Sequence, residues 1–253
     1  MKISKLYKYP IKSLTPVETE SLSLNSHGYI DGDRLFGFRF NNAGERTDLT
    51  WQRKTNFAAL MHMPQIASLK ANYNEAEKRI KIVSDGQTIV DGNVDSEREI
   101  IERKFTEYVL STDSELINKF PERFPFILVG GNDGNNFHDT PGGGVTLQSQ
   151  ESLEDLKKIT GFNLVHTRFR TNIIIEDCEP WHELNWVGKK IIINQNNFIV
   201  EKRVSRCLAI NCNPDTGERD HNVLKSMLQI QDARPPEFAI KLIERHNRSC
   251  EAD

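Results

Sequence analysis

The chain reads as an α+β protein, β-rich, built around a barrel or a strongly curved sheet. Two observations predict this. Short apolar segments of strand length recur between turn residues along the chain, and only three stretches carry helical periodicity. At 253 residues, the chain can bury the core of one large domain or two modest ones.

The elements follow in order. Residues 34–40 place Phe36, Phe38 and Phe40 on one face of a strand. Residues 79–83 and 88–90 flank Asp85-Gly86, a pair suited to the left-handed backbone of a two-residue hairpin turn. Residues 97–110 carry Ile100, Ile101, Phe105, Tyr108 and Val109 at helical spacing, with Ser96 and Glu99 spaced as a capping box. Residues 111–125 contain Pro121 and Pro125 and follow this helix, which marks them as a junction; the expected division is 1–115 and 116–253. In residues 152–160, Leu153, Leu156 and Ile159 form one stripe, and Gly161 suits the helix end. Residues 171–175 and 238–243 read as strands. Residues 189–193 and 198–204 read as a hairpin closing over the polar stretch 194–197. Residues 221–230 read as a third helix with Asp220 as its N-cap.

Composition excludes several classes. Thirty-three Lys and Arg against 36 Asp and Glu give a net charge of −3, which argues against bulk binding to nucleic acid or an anionic membrane. No window approaches the ~18–20 apolar residues of a membrane span, and residues 1–12 lack the apolar stretch of a secretory signal. A cytoplasmic protein without a membrane contact is expected. The four cysteines, Cys178, Cys207, Cys212 and Cys250, include no C-x-x-C pair, so zinc ribbons and thioredoxin-type motifs are not expected. A chain of this length does not need disulfides.

Hydrolase and nucleotide-loop signatures such as G-x-S-x-G, H-E-x-x-H, G-x-G-x-x-G and the Walker loop are absent. The segment Thr140-Pro-Gly-Gly-Gly144 offers backbone N–H groups that can nest an anion, although a triple glycine alone is more often a plain turn. Other segments carry more when taken together. Tyr9-Pro-Ile-Lys12-Ser13 is followed by Gly32-Asp-Arg34. Arg168-Phe-Arg170-Thr-Asn172-Ile leads a strand, with Arg168 expected on the same strand face as Arg170. Trp181-His-Glu-Leu precedes Gly188, and Lys202-Arg-Val-Ser-Arg206-Cys207 precedes Asn213-Pro-Asp-Thr-Gly217.

That order resembles the MOSC superfamily, with the early segments similar to its N-terminal β-barrel partner domain. In kind it is similar to the amidoxime-reducing proteins of mitochondria and their bacterial counterparts, from about Ile3 to about Ile243. The resemblance implies a MOSC-type β-barrel with an N-terminal barrel-like domain and a few short helices. It implies a molybdenum–molybdopterin cofactor whose metal takes one protein thiolate, here Cys207 in Ser205-Arg206-Cys207. Lys12, Ser13, Arg34, Thr140, Ser149, Arg170, Asn172 and Arg206 then bind the cofactor, with Thr140 and Ser149 toward the substrate side of the pocket. Arg suits bidentate phosphate contact and Lys a point-charge contact, so the residue types fit a pterin phosphate. Thr171 stands where family members commonly have Pro.

The implied activity is reduction of N-oxygenated compounds such as hydroxylamines and amidoximes. No iron–sulfur, flavin or pyridoxal-phosphate signature accompanies it, so electrons are expected from a separate donor protein. His138 and Asp139 are the nearest residues for a general acid. Two rival readings are a molybdenum-cofactor carrier and a sulfur-transfer protein that forms a persulfide on Cys207.

Overall fold

The computed structural model describes residues 1–131, 136–231 and 235–244; Cys250 lies outside them. The elements run β1 (Lys2–Lys8), β2 (Val17–Thr19), β3 (Phe36–Arg39), β4 (Lys70–Asn74), β5 (Arg79–Ser84), β6 (Gln87–Asn93), α1 (Arg98–Thr112) and α2 (Glu115–Lys119). They continue with β7 (Ile127–Gly130), β8 (Val145–Ser149), α3 (Gln150–Thr160), β9 (Ile173–Glu176), β10 (Lys190–Ile193), β11 (Asn196–Ser205), α4 (Val223–Ile230) and β12 (Glu237–Glu244). Strands dominate, so the α+β, β-rich expectation holds.

Seven strands form one sheet in the order β10-β11-β12-β8-β9-β1-β2, antiparallel throughout except for the parallel β8–β9 pair. A meander β4-β5-β6 and the ribbon β3-β7 complete the described strands. The chain ends interleave: β1 and β2 extend the sheet built mainly from later strands, and β3 pairs with β7 from beyond residue 115. Most of residues 111–125 are exposed, but Leu116 and Phe124 pack on the core around α1, and the chain just beyond them is tied to that helix. Thr106 Oγ1 accepts a bond from Phe126 N at 3.0 Å, and Glu102 Oε1 accepts one from Leu128 N at 2.8 Å.

Local chemistry explains the elements. Alternation in β3 and the residue after it sends Phe36, Phe38 and Phe40 into one core with α1, where the Phe38 and Phe105 rings stack within 5° of parallel. Asp85 and Gly86 both adopt positive φ (48° and 77°), the turn that a two-residue hairpin requires. The second hairpin closes more tightly than the sequence suggested. Its strands extend inward to Ile193 and Asn196, with Asn194 at φ 53°. Gly161 ends α3 at φ 71°.

Three helix details differ from expectation. Ser96 and Glu99 form no capping box. Asn93 Oδ1 instead accepts the N–H groups of Asp95 (2.9 Å) and Ser96 (3.1 Å), and Glu97 Oε2 accepts from Asn93 N at 2.8 Å, satisfying the same region from one turn upstream. Asn222, not Asp220, caps α4, accepting from Lys225 N at 3.2 Å. Leu153 and Leu156 are buried, but Ile159 is half exposed at the end of its stripe.

Two register shifts in the β11–β12 pairing, at residues 200–202 and 203–205, bear directly on the site. Bulges bend a strand and re-aim its side chains. Up to Val200, β11 alternates toward the core; beyond it, consecutive residues from Lys202 to Cys207 all reach one cavity.

A candidate cofactor site

Two chain segments zip together to build the first wall. Arg34 N donates to Tyr9 O at 2.6 Å, Lys12 N to Phe36 O at 2.8 Å, and Tyr9 N to Asp33 Oδ1 at 2.7 Å. This sets Lys12 and Ser13 beside Arg34. Arg34 Nη2 then donates to Arg170 O at 2.9 Å, which brings in the turn before β9. The buried Tyr9 ring lies between two guanidinium carbons, Arg34 at 4.4 Å and Arg170 at 4.5 Å. Burial pushes its phenol well above the usual range, so the ring stays neutral. Ser13, Arg34 and Arg170 all have positive φ (73°, 49° and 57°), a conformation that costs a non-glycine residue stability and clusters at functional sites.

Cys207 forms the opposite wall. It leaves β11 in extended backbone and enters a 3-10 turn over Leu208–Asn211. Arg168 pins that turn, donating from Nη1 to Ile210 O (3.3 Å), Asn211 O (3.1 Å) and Asp220 Oδ1 (2.9 Å), and from Nη2 to Asp220 Oδ2 at 3.0 Å. Arg206 is spent on backbone, donating from Nε to Phe238 O and from Nη1 to Phe169 O, each at 2.8 Å. Lys54 Nζ donates to Cys207 Sγ at 3.3 Å and lies 3.8 Å from Asp139 Oδ2. Lys12 completes the chain with a bond to Phe137 O at 2.9 Å and a close ion pair to Asp139 Oδ1.

The walls enclose a cavity of about 380 Å³. Nine of its described lining residues are Lys or Arg, and Asp139 is the acidic one, although the whole chain carries −3. Five carboxylates pair with seven of the nine: Asp139 with Lys12 and Lys54, Asp33 with Arg34, Asp220 with Arg168, Glu237 with Arg203, and Glu201 with Lys241 and Lys202. The remaining charge makes the cavity a trap for anions.

Titration follows from the same crowding. Burial lowers Arg170 and Arg206 to about 10. Burial also lowers Lys12, with Asp139 pulling the other way. The cavity walls push Asp139 up, but Lys12 and Lys54 more than offset that and hold it at about 2, with 59% of its side chain open to screening solvent. Burial depresses Lys54, and the Cys207 sulfur and Asp139 more than restore it. Burial takes His138 down to about 4, so its imidazole is neutral at physiological pH, and Nε2 has no hydrogen-bond partner among the described residues.

Of the residues singled out from sequence, Lys12, Ser13, Arg34, Thr140, Arg170, Arg206 and Cys207 line the cavity. Asn172 does not. It is fully buried behind the wall, donating to Tyr7 O and Asp33 Oδ1 (3.2 Å each) and accepting from Thr146 Oγ1 at 2.8 Å. Ser149 does not either. It caps α3 through Ser152 N at 3.1 Å and bonds the buried Glu183 carboxylate, so its hydroxyl is committed elsewhere. The strand-face pairing of Arg168 with Arg170 also fails, because residues 166–169 form a 3-10 turn and Arg170 is left-handed. Cys212 packs into the apolar core at 2% exposure, apart from Cys207 in role. His138 and Asp139 both reach the cavity. Lys54 and Lys241 carried no motif, although a lysine inside the apolar run 238–243 is itself a signal.

With this geometry in view, the family comparison is specific. The MOSC N-terminal beta barrel domain matches residues 1–114 and the MOSC domain matches residues 134–241. The two cover most of the chain, which belongs to the MOSC-domain family. Members of this family bind molybdenum cofactor, as sulfurase-like proteins or as oxidoreductases. A search of curated proteins found no match. No described helix is long and apolar enough to cross a membrane.

Proposed function

We propose that this protein binds the molybdenum–molybdopterin cofactor in the cationic cavity, with Cys207 as the metal's protein ligand, and reduces N-oxygenated compounds. The observation that carries this reading is one thiol facing a cavity rich in Lys and Arg. Among the described residues no three His, Cys, Asp or Glu converge to hold a metal. A metal bound here must therefore bring most of its own ligands, as a dithiolene-bound metal does. The donor chemistry fits as well: a soft sulfur suits molybdenum, and cations without carboxylate partners suit a phosphate. Arg168 Nε, buried without a protein acceptor, is one further donor at the wall.

The bound cofactor supplies two-electron oxygen removal from the substrate. The chain's residues do the rest. Lys54 and the Arg168 clamp fix where the sulfur sits. Tyr9 spaces the Arg34 and Arg170 guanidiniums, and the neutral His138 ring lines the cavity. Converting R–NH–OH to R–NH2 and water consumes two electrons and two protons, and in this reading a separate donor protein supplies the electrons.

The test is protein purified from a host that makes the cofactor, assayed on benzamidoxime with a strong chemical reductant. Bound molybdenum and pterin with amidine product support the reading. Cofactor without turnover of any N-oxygenated substrate would point to a carrier. A labile sulfane sulfur on Cys207 would point to sulfur transfer.

A further inference from the structure

A second, smaller compartment of about 110 Å³ adjoins the cationic cavity, and His138, Thr140 and Gly143 line both. Its chemistry is different. Its described lining includes no lysine, arginine or carboxylate; Tyr29, Trp51, Thr50 and Gln52 form its sides. Aromatic rings organise it. Tyr29 lies 5.8 Å from the His138 ring, and Trp51 Nε1 donates to His138 O at 3.1 Å, tying the indole to the residue at the junction. The glycine loop closes the floor. Gly143 adopts φ 48°, and a Cβ there would sit 2.5 Å from the Tyr29 ring and 3.0 Å from His138 Cδ2. Only a residue without a side chain lets the Tyr29 and His138 rings lie this close to the loop.

Charge assigns the two compartments to different ligands. An anionic cofactor belongs with the cations. A neutral space between flat rings suits a flat, uncharged group, and its volume is comparable to the roughly 150 Å³ cavity that accommodates benzene in a protein core. His138 lines both compartments and so stands where such a group would meet the cationic cavity.

We propose that this compartment is the subsite for the planar organic portion of the substrate, walled by Tyr29 and Trp51. The proposal rests on the reductase reading and sets its specificity: substrates carrying an aryl or similarly flat group are preferred over hydroxylamine itself.

The experiment compares benzamidoxime with hydroxylamine in the cofactor-loaded wild type and in Trp51→Ala and Trp51→Phe. Trp51→Ala raises KM for benzamidoxime about five- to tenfold, the loss of one aromatic contact. It leaves hydroxylamine kcat/KM within twofold, because that substrate has no ring to hold. Trp51→Phe keeps a flat wall and recovers most of the benzamidoxime KM. Equal losses on both substrates, or none on either, would overturn the subsite. If the wild type reduces neither substrate, the reductase reading fails separately. Tryptophan emission then decides the subsite: benzamidoxime produces a saturable change in wild type that is absent in Trp51→Phe, and no change in wild type overturns it.

Discussion

Asp220→Asn isolates the clamp that positions the Cys207 turn. The Arg168 side chain is 1% exposed and the Asp220 side chain 23%, so the substitution leaves a buried guanidinium without its counter-charge. Breaking a fully buried pair costs about 3–5 kcal/mol. Here the Ile210 and Asn211 carbonyls still accept from Arg168, and water reaches Asp220, so about 2–3 kcal/mol is expected. For a chain of this size that is roughly 5–10 °C in Tm. Urea unfolding at pH 7 measures it. Burial pushes the Asp220 carboxyl up, but Arg168 more than offsets this and holds it below its ordinary value. Its stability contribution is therefore present above the unfolded carboxyl pKa, about 3.9, and is lost as pH falls through the lower folded value. The gap between wild type and Asp220→Asn should narrow as pH drops below about 4. A stability change under about 0.5 kcal/mol at pH 7, or a gap independent of pH, would refute the clamp.

Three further outcomes follow from the site. Arg170→Ala should weaken pterin retention roughly ten- to a hundredfold, measured by pterin release, whereas the helix-surface control Lys157→Ala should not. His138 takes a proton in the unfolded chain near 6.5 but only near about 4 when folded, so stability should fall as pH drops through that window, by about 3 kcal/mol at most. His138→Gln should flatten this slope in pH-dependent unfolding without abolishing it, because burial brings His166 to about 4 as well. Isolated protein should not oxidise NADH, and turnover should appear only with a chemical reductant or a reconstituted donor chain; NADH-dependent turnover by the homogeneous chain alone would refute this.

Much of the fold was legible because it is local. Phe36, Phe38 and Phe40 announce a strand by alternation, and Asp85-Gly86 announces its turn by the backbone it permits. What sequence spacing misread was competition among equivalent local partners. A serine before a helix looks the same whether it caps or binds, and Ser149 caps. Asn93 took the capping role that Ser96 and Glu99 seemed to share, and Asn222 freed Asp220 for Arg168. The lining of the candidate cavity was legible where motifs mark it, at Lys12, Arg34, Arg170 and Cys207. It was illegible where only folding makes neighbours: Lys54 meets Cys207 across 153 residues, and bulges in the β11–β12 pairing, not alternation, turn Lys202 and Arg203 toward the same cavity.

The Cys207 anchor for molybdenum in the cationic cavity is the core of the proposed function. It is tested by molybdenum and pterin content in wild type, Cys207→Ser and Cys178→Ser, all purified from a host that makes the cofactor. Near-stoichiometric metal and pterin are expected in wild type and Cys178→Ser. Cys207→Ser should lose molybdenum-dependent activity and most of the metal, because a neutral hydroxyl replaces the soft sulfur ligand. Full metal and activity in Cys207→Ser, or a wild type that takes up neither metal nor pterin, would contradict it.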